Sequence, residues 1–210
     1  EDFVQFQKKL AYFGMVNALS QTLLKIAAPG VPDFYQGSEL WDLRLVDPDN
    51  RGPIDFAKRT AALGSVSDAD SAPALSHLVE HWHDGCIKLY LISRALRFRR
   101  DHVDLFLQGE LLPLQSTGAN ARNVAAFVRK QGSSWALAVI PRWLSQVPSG
   151  GKGGFDWGDT RLTLPTGSPA EWNSILTPAR FISNKENGGQ HLMLKDLLQE
   201  FPVAFCHAEG

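Results

Sequence analysis

Side chains able to do chemistry crowd one stretch, Pro29 to Phe56, which reads PGVPDFYQGSELWDLRLVDPDNRGPIDF. Asp33, Gln36, Glu39, Asp42, Asp47, Asp49, Asn50 and Arg51 fall there, with Tyr35 and Trp41 among them. Dense hydrogen-bonding groups beside flat aromatic faces, carried on a loop between rigid elements, are how a scaffold presents a binding surface. Glu39 and Asp42 could form an acid/base pair, but loop hydrogen bonding and capping is the preferred reading, because short polar side chains stabilise such turns. Trp41 is either a stacking platform or a packed core side chain. Asp47 to Arg51 either touches a ligand or closes on itself as a turn with an Asp–Arg pair, and the two are compatible.

Other candidates are weaker. His77 and His81 are spaced to share a helix face with His83 close by, yet no acidic or Cys ligand completes a zinc set, so no metal and no cofactor is expected. Arg94, Arg97, Arg99 and Arg100 could bind phosphate or RNA, but a solvated helix end matched to the dipole is preferred. GKGG at Lys152 lacks the spacing of a phosphate loop and reads as linker. Cys86 reads as a partly buried small side chain rather than a reactive thiol.

The elements that must position these residues follow from periodicity. Residues 2–28 read as one helix, with Val4, Phe6, Leu10, Phe13, Val16, Leu19, Leu23 and Ile26 mostly three or four apart and Pro29-Gly30 as its stop. Val31 to Tyr35 reads as a short strand, with Pro32 at its start or on an edge and Gly37 giving a tight turn or a close backbone approach. Helices are expected at Ile54–Leu63 with Asp55 at the positive end, at Ser71 or Ala72 to Trp82, and at Asp84–Arg100, with a polar linker from Gly64 to Ser71. Beyond His102 seven short strands are expected: Glu110–Leu114, Val124–Arg129, Trp135–Pro141, Arg161–Leu164, Trp172–Leu176, His191–Leu194 and Val203–His207. Gly132-Ser133-Ser134 should be a hairpin loop and Gln146 to Gly154 a flexible insertion. Strands with turn signals at such spacing indicate an antiparallel sandwich or barrel.

Bulk composition limits the function classes. The 210 residues are 44% apolar and 20% charged, with a net charge of −1. That gives no field to gather nucleic acid or an acidic membrane. No apolar run reaches the length of a membrane span. Two cysteines, Cys86 and Cys206, make no disulfide framework, and EDFVQFQKKL has no secretory pattern, so a cytoplasmic, reducing location is expected. The chain starts without methionine and in mid-pattern, so Glu1 is not expected to be a natural start.

The residues Gly30, Pro32, Gly37 and Glu39, in the spacing Gly-x-Pro-x-x-x-x-Gly-x-Glu, resemble the segment at the eighth strand of alpha-amylase superfamily barrels. The longer run YQGSELWDLRLVDPDNRGPIDF is similar to the malto-oligosyltrehalose synthase family. DGCIKLYLISRALRFRR resembles that family's next long helix, and LFLQGELLPL and WGDTRLTLP resemble its C-terminal β domain. Gly52 stands where the family usually has a second Arg, and Cys86 where Arg is common.

A complete (β/α)8 barrel takes about 250 residues. Only about 100 precede the β region here. The resemblance therefore implies an α+β fragment: residues 1–104 as helices and one strand from the end of the barrel, and 105–210 as an antiparallel β-sandwich. It implies that the nucleophile Asp, acid/base Glu and third Asp of the family lie upstream, so no catalytic residue is expected here. The implied activity of the intact enzyme is isomerisation of the reducing-end α-1,4 link of a malto-oligosaccharide to α,α-1,1, for trehalose biosynthesis. On that footing Tyr35, Gln36, Glu39, Trp41, Asp47, Asp49, Asn50 and Arg51 are the expected substrate-binding residues. The rivals are a carbohydrate-binding or structural module, reading sugar through Trp135, Trp157 or Trp172, and another glucanotransferase of the superfamily. Residues 2–36 should pack on the β region or on the 72–100 helices, or pair with a second copy, because apolar surface of that size finds a partner.

Overall fold

The computed structural model describes residues 2–45, 51–67, 71–150, 154–186 and 188–210. Five helices come first: α1 (Asp2–Ala27), α2 (Phe56–Ser67), α3 (Ala72–Glu80), α4 (Cys86–Asp101) and α5 (Val103–Leu107). Ten strands follow: β1 (Glu110–Pro113), β2 (Gln115–Thr117), β3 (Val124–Gln131), β4 (Ser134–Pro141), β5 (Arg161–Leu164), β6 (Glu171–Ser174), β7 (Arg180–Ile182), β8 (Asn184–Glu186), β9 (Gly189–Met193) and β10 (Ala204–Glu209). One helical turn, α6 (Leu194–Leu197), lies between the last two strands. The result is a mixed α+β fold with two antiparallel sheets, ordered β1-β3-β4-β10-β6-β7 and β2-β5-β9-β8, and no closed barrel among the described residues. No described helix is long and apolar enough to cross a membrane.

Helix starts are set by side chains that accept the orphan N–H groups of the first turn. Asp55 caps α2 by accepting from Lys58 N at 2.8 Å, and Ser71 caps α3 by accepting from Ala74 N at 3.4 Å. α1 buries Val16, Leu19, Leu23 and Ile26 completely against α4 and β4, which brings about 1.5–3 kcal/mol per side chain. Ser20 Oγ donates to Pro141 O at 3.0 Å across that contact. The expected packing of residues 2–36 is therefore met by the second half of α1, while Phe3, Val4, Phe6 and Leu10 of its first half stay exposed.

The strand expected at Val31–Tyr35 is not present: these residues join no ladder, and Val31 and Tyr35 are 88% and 83% exposed. A strand exists only through hydrogen bonds to a neighbour, and no strand among the described residues pairs with this segment. All seven expected strands of the second half are present, with ends within two residues of those expected. β3 and β4 pair from Val124↔Pro141 to Gln131↔Ser134, closing a two-residue Gly132-Ser133 hairpin in which Gly132 takes φ +59°. β4 is buried at every position from Trp135 to Pro141, as in a strand covered on both faces. Of the expected flexible insertion, residues 151–153 lie outside the described residues. Its described ends are tied by a Ser149↔Phe155 bridge and by Gly150 N to Gly154 O at 2.9 Å.

Two arginines lock the helices to the rest. Arg99 of α4 donates to Ile26 O, in the last turn of α1, and to Ala28 O and Gly30 O just beyond its end. Arg129 of β3 is buried, and its Nη2 donates to Leu105 O, Phe106 O and Gly109 O at 3.3, 3.0 and 2.7 Å. It thereby holds the α5–β1 junction.

Candidate functional site

The polar loop after α1 opens with a turn, in which Ser38 N donates to Tyr35 O at 3.1 Å and Gly37 takes φ +94°. A positive φ at the third residue of a turn is the glycine position, as the sequence reading expected of Gly37. The loop then backs onto the start of α4 at Gly85. That glycine has φ +83°, and a Cβ there would sit 2.9 Å from Trp41 N.

A closed hydrogen-bond ring fixes the turn. Glu39 Oε2 accepts from Gly37 N at 2.9 Å and from Arg59 Nε at 2.9 Å, while Arg59 Nη2 donates to Gly37 O at 2.5 Å. Arg59 Nη1 also donates to Asp55 O at 3.1 Å at the start of α2, so one guanidinium joins the helix start to the turn. Further along, Arg44 grips both oxygens of Asp42, from Nε at 2.9 Å and Nη2 at 2.8 Å, and reaches Gly52 O at 3.3 Å. Those hydrogen bonds hold the Asp42 carboxyl down at about 2. It is an anion throughout the neutral range and cannot donate a proton as a general acid. Glu39 and Asp42 each belong to a different arginine, so they act as loop braces and not as an acid/base pair.

Trp41 is a wall, not a free platform. Its Nε1 donates to Trp82 O at 2.6 Å, its ring meets that of Trp82 edge-on at 6.4 Å, and the Lys88 ammonium lies 5.7 Å from its centroid. Lys88 Nζ also donates to Leu40 O at 3.3 Å. Burial lowers the pKa of Lys88, against the upward pull of the Asp42 and Glu39 carboxylates.

These groups rim an open cleft of about 610 Å³, with Trp41, Asp42, Arg44, Ile54, Lys58 and Arg59 on its walls. Fixed carboxylate–guanidinium pairs beside an indole suit a neutral, hydroxyl-rich ligand better than proton transfer. Of the expected binding residues, Trp41 lines the cleft, and Glu39 braces the lining residues Gly37 and Arg59 from behind. Tyr35, Gln36 and Arg51 are exposed on the flanking chain, and Asp47, Asp49 and Asn50 lie outside the described residues. The sequence reading missed Arg44, Arg59, Trp82 and Lys88. An Asp-x-Arg spacing signalled Arg44, whereas nothing local linked Arg59 to Glu39 or Lys88 to Leu40.

The other candidates resolve differently. Trp135, Trp157 and Trp172, the supposed sugar platforms of a binding module, are buried core side chains, 2%, 3% and 0% exposed. His77 and His81 stack at 4.0 Å, and no group of three or more metal-ligating side chains is found among the described residues. The arginine cluster divides: Arg99 caps α1, Arg100 pairs with Asp101 at 2.8 Å, and Arg94 donates to Ile175 O at 3.2 Å. Cys86 is partly buried, as expected; burial first, then the Asp84 carboxylate, raises its thiol pKa and keeps it from reactivity.

No family model matches the sequence. A Mycobacterium tuberculosis (strain CDC 1551 / Oshkosh) protein bearing the provisional name maltooligosyl trehalose synthase is 39% identical over 161 residues, covering 77% of this chain and 17% of its own length. The H37Rv strain has a counterpart with the same figures. Among solved structures, the maltooligosyltrehalose synthase of Arthrobacter ramosus superposes with a TM-score of 0.69 at 31% identity, over 98% of this chain and 24% of that one. An Anoxybacillus alpha-amylase shares the fold alone, at 14% identity and a TM-score of 0.56. The chain thus spans about a sixth of the length of the curated relatives it matches. Sequence and fold agree that this chain is homologous to the maltooligosyltrehalose synthase family, of whose full-length members it covers only a small part.

Proposed function

We propose that the chain is the C-terminal part of a malto-oligosyltrehalose synthase, which converts the reducing-end α-1,4 link of a malto-oligosaccharide into α,α-1,1. Identity of 39% across 77% of the chain to a protein of that name carries the proposal. Residues 1–104 are then the end of the catalytic barrel and 105–210 a β-sandwich domain. Residues 31–35 take the place of the eighth strand, whose ladder comes from barrel strands outside this chain.

The chemistry proposed for the intact enzyme is retaining: a carboxylate attacks, a glycosyl-enzyme forms, and the released glucose attacks in place of water. That outcome requires glucose held in position and water excluded. Loops after the strands build the active face of such barrels. The Tyr35–Arg51 loop is assigned to the glucose pocket, with Tyr35, Gln36, Glu39, Trp41, Asp47, Asp49, Asn50 and Arg51 lining or bracing it. Arg59 and Arg44 set the loop's shape through Glu39 and Asp42. The bond-breaking carboxylates are assigned to the part of the enzyme that this chain does not cover.

The test is conversion of maltopentaose. The full-length protein should form a non-reducing product of the same length, and the 210-residue chain alone should form none. Hydrolysis without isomerisation by the full-length protein, or isomerisation by the chain alone, would overturn the proposal.

A further inference from the structure

We propose that the groove flanking Phe155, between the 148–157 hairpin and the chain that follows α6, is a second sugar site, which holds a short α-1,4-linked glucan. The linkage rests on the family reading above, whereas the site rests on the geometry of these residues. Two hollows of about 410 and 140 Å³ share Phe155, Trp157, Leu198 and Gln199 in their linings, and neither shares a lining residue with the Tyr35–Arg59 cleft. Phe155, Trp157 and Leu198 give the groove its apolar surface, and Tyr12 of α1 lines the smaller hollow. The rest of the larger hollow is polar, with Ser149 and Asp156 on the hairpin, Lys195 on α6 and Gln199 just beyond it.

Backbone bonds set the walls. Ser149 and Phe155 form a bridge, Gly150 N donates to Gly154 O at 2.9 Å, and Asp156 N donates to Pro148 O at 2.9 Å. Gly150 permits that close approach, since a Cβ there would lie 2.9 Å from Phe155 C. Asn120 Nδ2 donates to Asp156 O at 2.8 Å and Leu194 N to Thr160 O at 3.0 Å, which moors the hairpin and α6 to the smaller sheet. The Phe155 ring is fixed among Tyr12, Phe13 and Trp157, at 6.0, 6.3 and 6.5 Å between centroids. A fixed aromatic ring offers apolar surface to the C–H face of a pyranose. Hydrogen bonds come from the polar side. Asp156 Oδ1 accepts from Gly158 N at 2.9 Å, while its second oxygen and the side-chain ends of Lys195 and Gln199 are not engaged among the described residues. An acceptor, a cationic donor and an amide that does both match neighbouring hydroxyls, each of which donates and accepts. Asp156 and Lys195 are the charged residues on the larger hollow, and they offset each other, which favours a neutral ligand over an ion.

The experiment titrates the 210-residue chain with maltotetraose and, as linkage controls, cellotetraose and isomaltotetraose, following the amide resonances by NMR. Saturable shifts at Phe155, Asp156 and Gln199 are expected with maltotetraose, at an affinity about tenfold lower in Lys195→Ala/Gln199→Ala with Tm unchanged. Gly37 and Trp41 report the cleft separately. Shifts confined to Gly37 and Trp41, an affinity indifferent to the double substitution, or a control sugar bound as tightly as maltotetraose would overturn the assignment. Conversion of maltopentaose by the full-length protein is read in parallel. Groove binding without isomerisation there would uphold the site and remove the proposed activity, and isomerisation without groove shifts would remove the site alone.

Discussion

Arg59→Ala cuts the ring that fixes the loop at the cleft. It removes the contact to Glu39 at 2.9 Å, the donation to Gly37 O at 2.5 Å and the tether to Asp55 O at 3.1 Å. The Arg59–Glu39 pair is partly screened, with 19% and 29% of the two side chains exposed, so it is credited well below a buried pair. A charge-assisted hydrogen bond with two bonds to carbonyls then contributes about 1–2 kcal/mol to holding the turn closed. Opening by that amount corresponds to about 5- to 30-fold faster exchange of the protected amide. Gly37 N–H, which donates to Glu39, is the reporter. Hydrogen exchange followed by NMR should show that acceleration at Gly37 in Arg59→Ala, less of it in Arg59→Lys, and little change in the β4 amides. Combined with Glu39→Gln, the two changes should couple by about 0.5–1.5 kcal/mol. Unchanged Gly37 exchange, or strict additivity, would refute the ring as the brace.

Other outcomes follow from single sites. The folded Asp42 pKa of about 2 lies below its unfolded value, so the Arg44 pairing contributes above the unfolded pKa and is lost as pH falls from about 4 to 2. A carboxyl NMR titration should place the midpoint there, and Arg44→Gln should return it to the ordinary range. Arg129→Met leaves the carbonyls of Leu105, Phe106 and Gly109 without their donor, and should cost about 2–4 kcal/mol in urea unfolding. A loss under about 1 kcal/mol would show that the junction does not need it. The exposed Phe3, Phe6 and Leu10 should make the 210-residue chain self-associate in sedimentation, with Phe3→Asp/Phe6→Asp monomeric. A wild-type chain monomeric at all concentrations would rule out pairing through α1.

What the sequence made legible was periodic and local. α1 and α4 carry their apolar spacing over many turns, and β3 and β4 are long and flanked by turn residues. β2, β7 and β8 have three residues each, and α5 five, too short for any period to show. α2 runs on to Ser67 through Gly64-Ser65, read as a linker, because helical hydrogen bonding tolerates an interior glycine at modest cost. Val31–Tyr35 has the composition of a strand, but pairing depends on a neighbour that a local pattern cannot show. In the cleft, the turn at Gly37 and the bracing roles of Glu39 and Asp42 were readable from residue type. Arg59 lies 20 residues from Glu39, and only folding α2 against the loop brings them together. Trp135, Trp157 and Trp172 show the converse: an indole suits a sugar face and a core alike, and burial decides.

The most direct test of the proposed role of the Tyr35–Arg51 loop is the product ratio of the full-length enzyme carrying Arg51→Ala, measured on maltopentaose as trehalose-capped product against free glucose. If the loop holds the released glucose for re-attack, free glucose rises at the expense of the capped product, or substrate binding weakens. An unchanged ratio at unchanged kcat and KM would contradict that role.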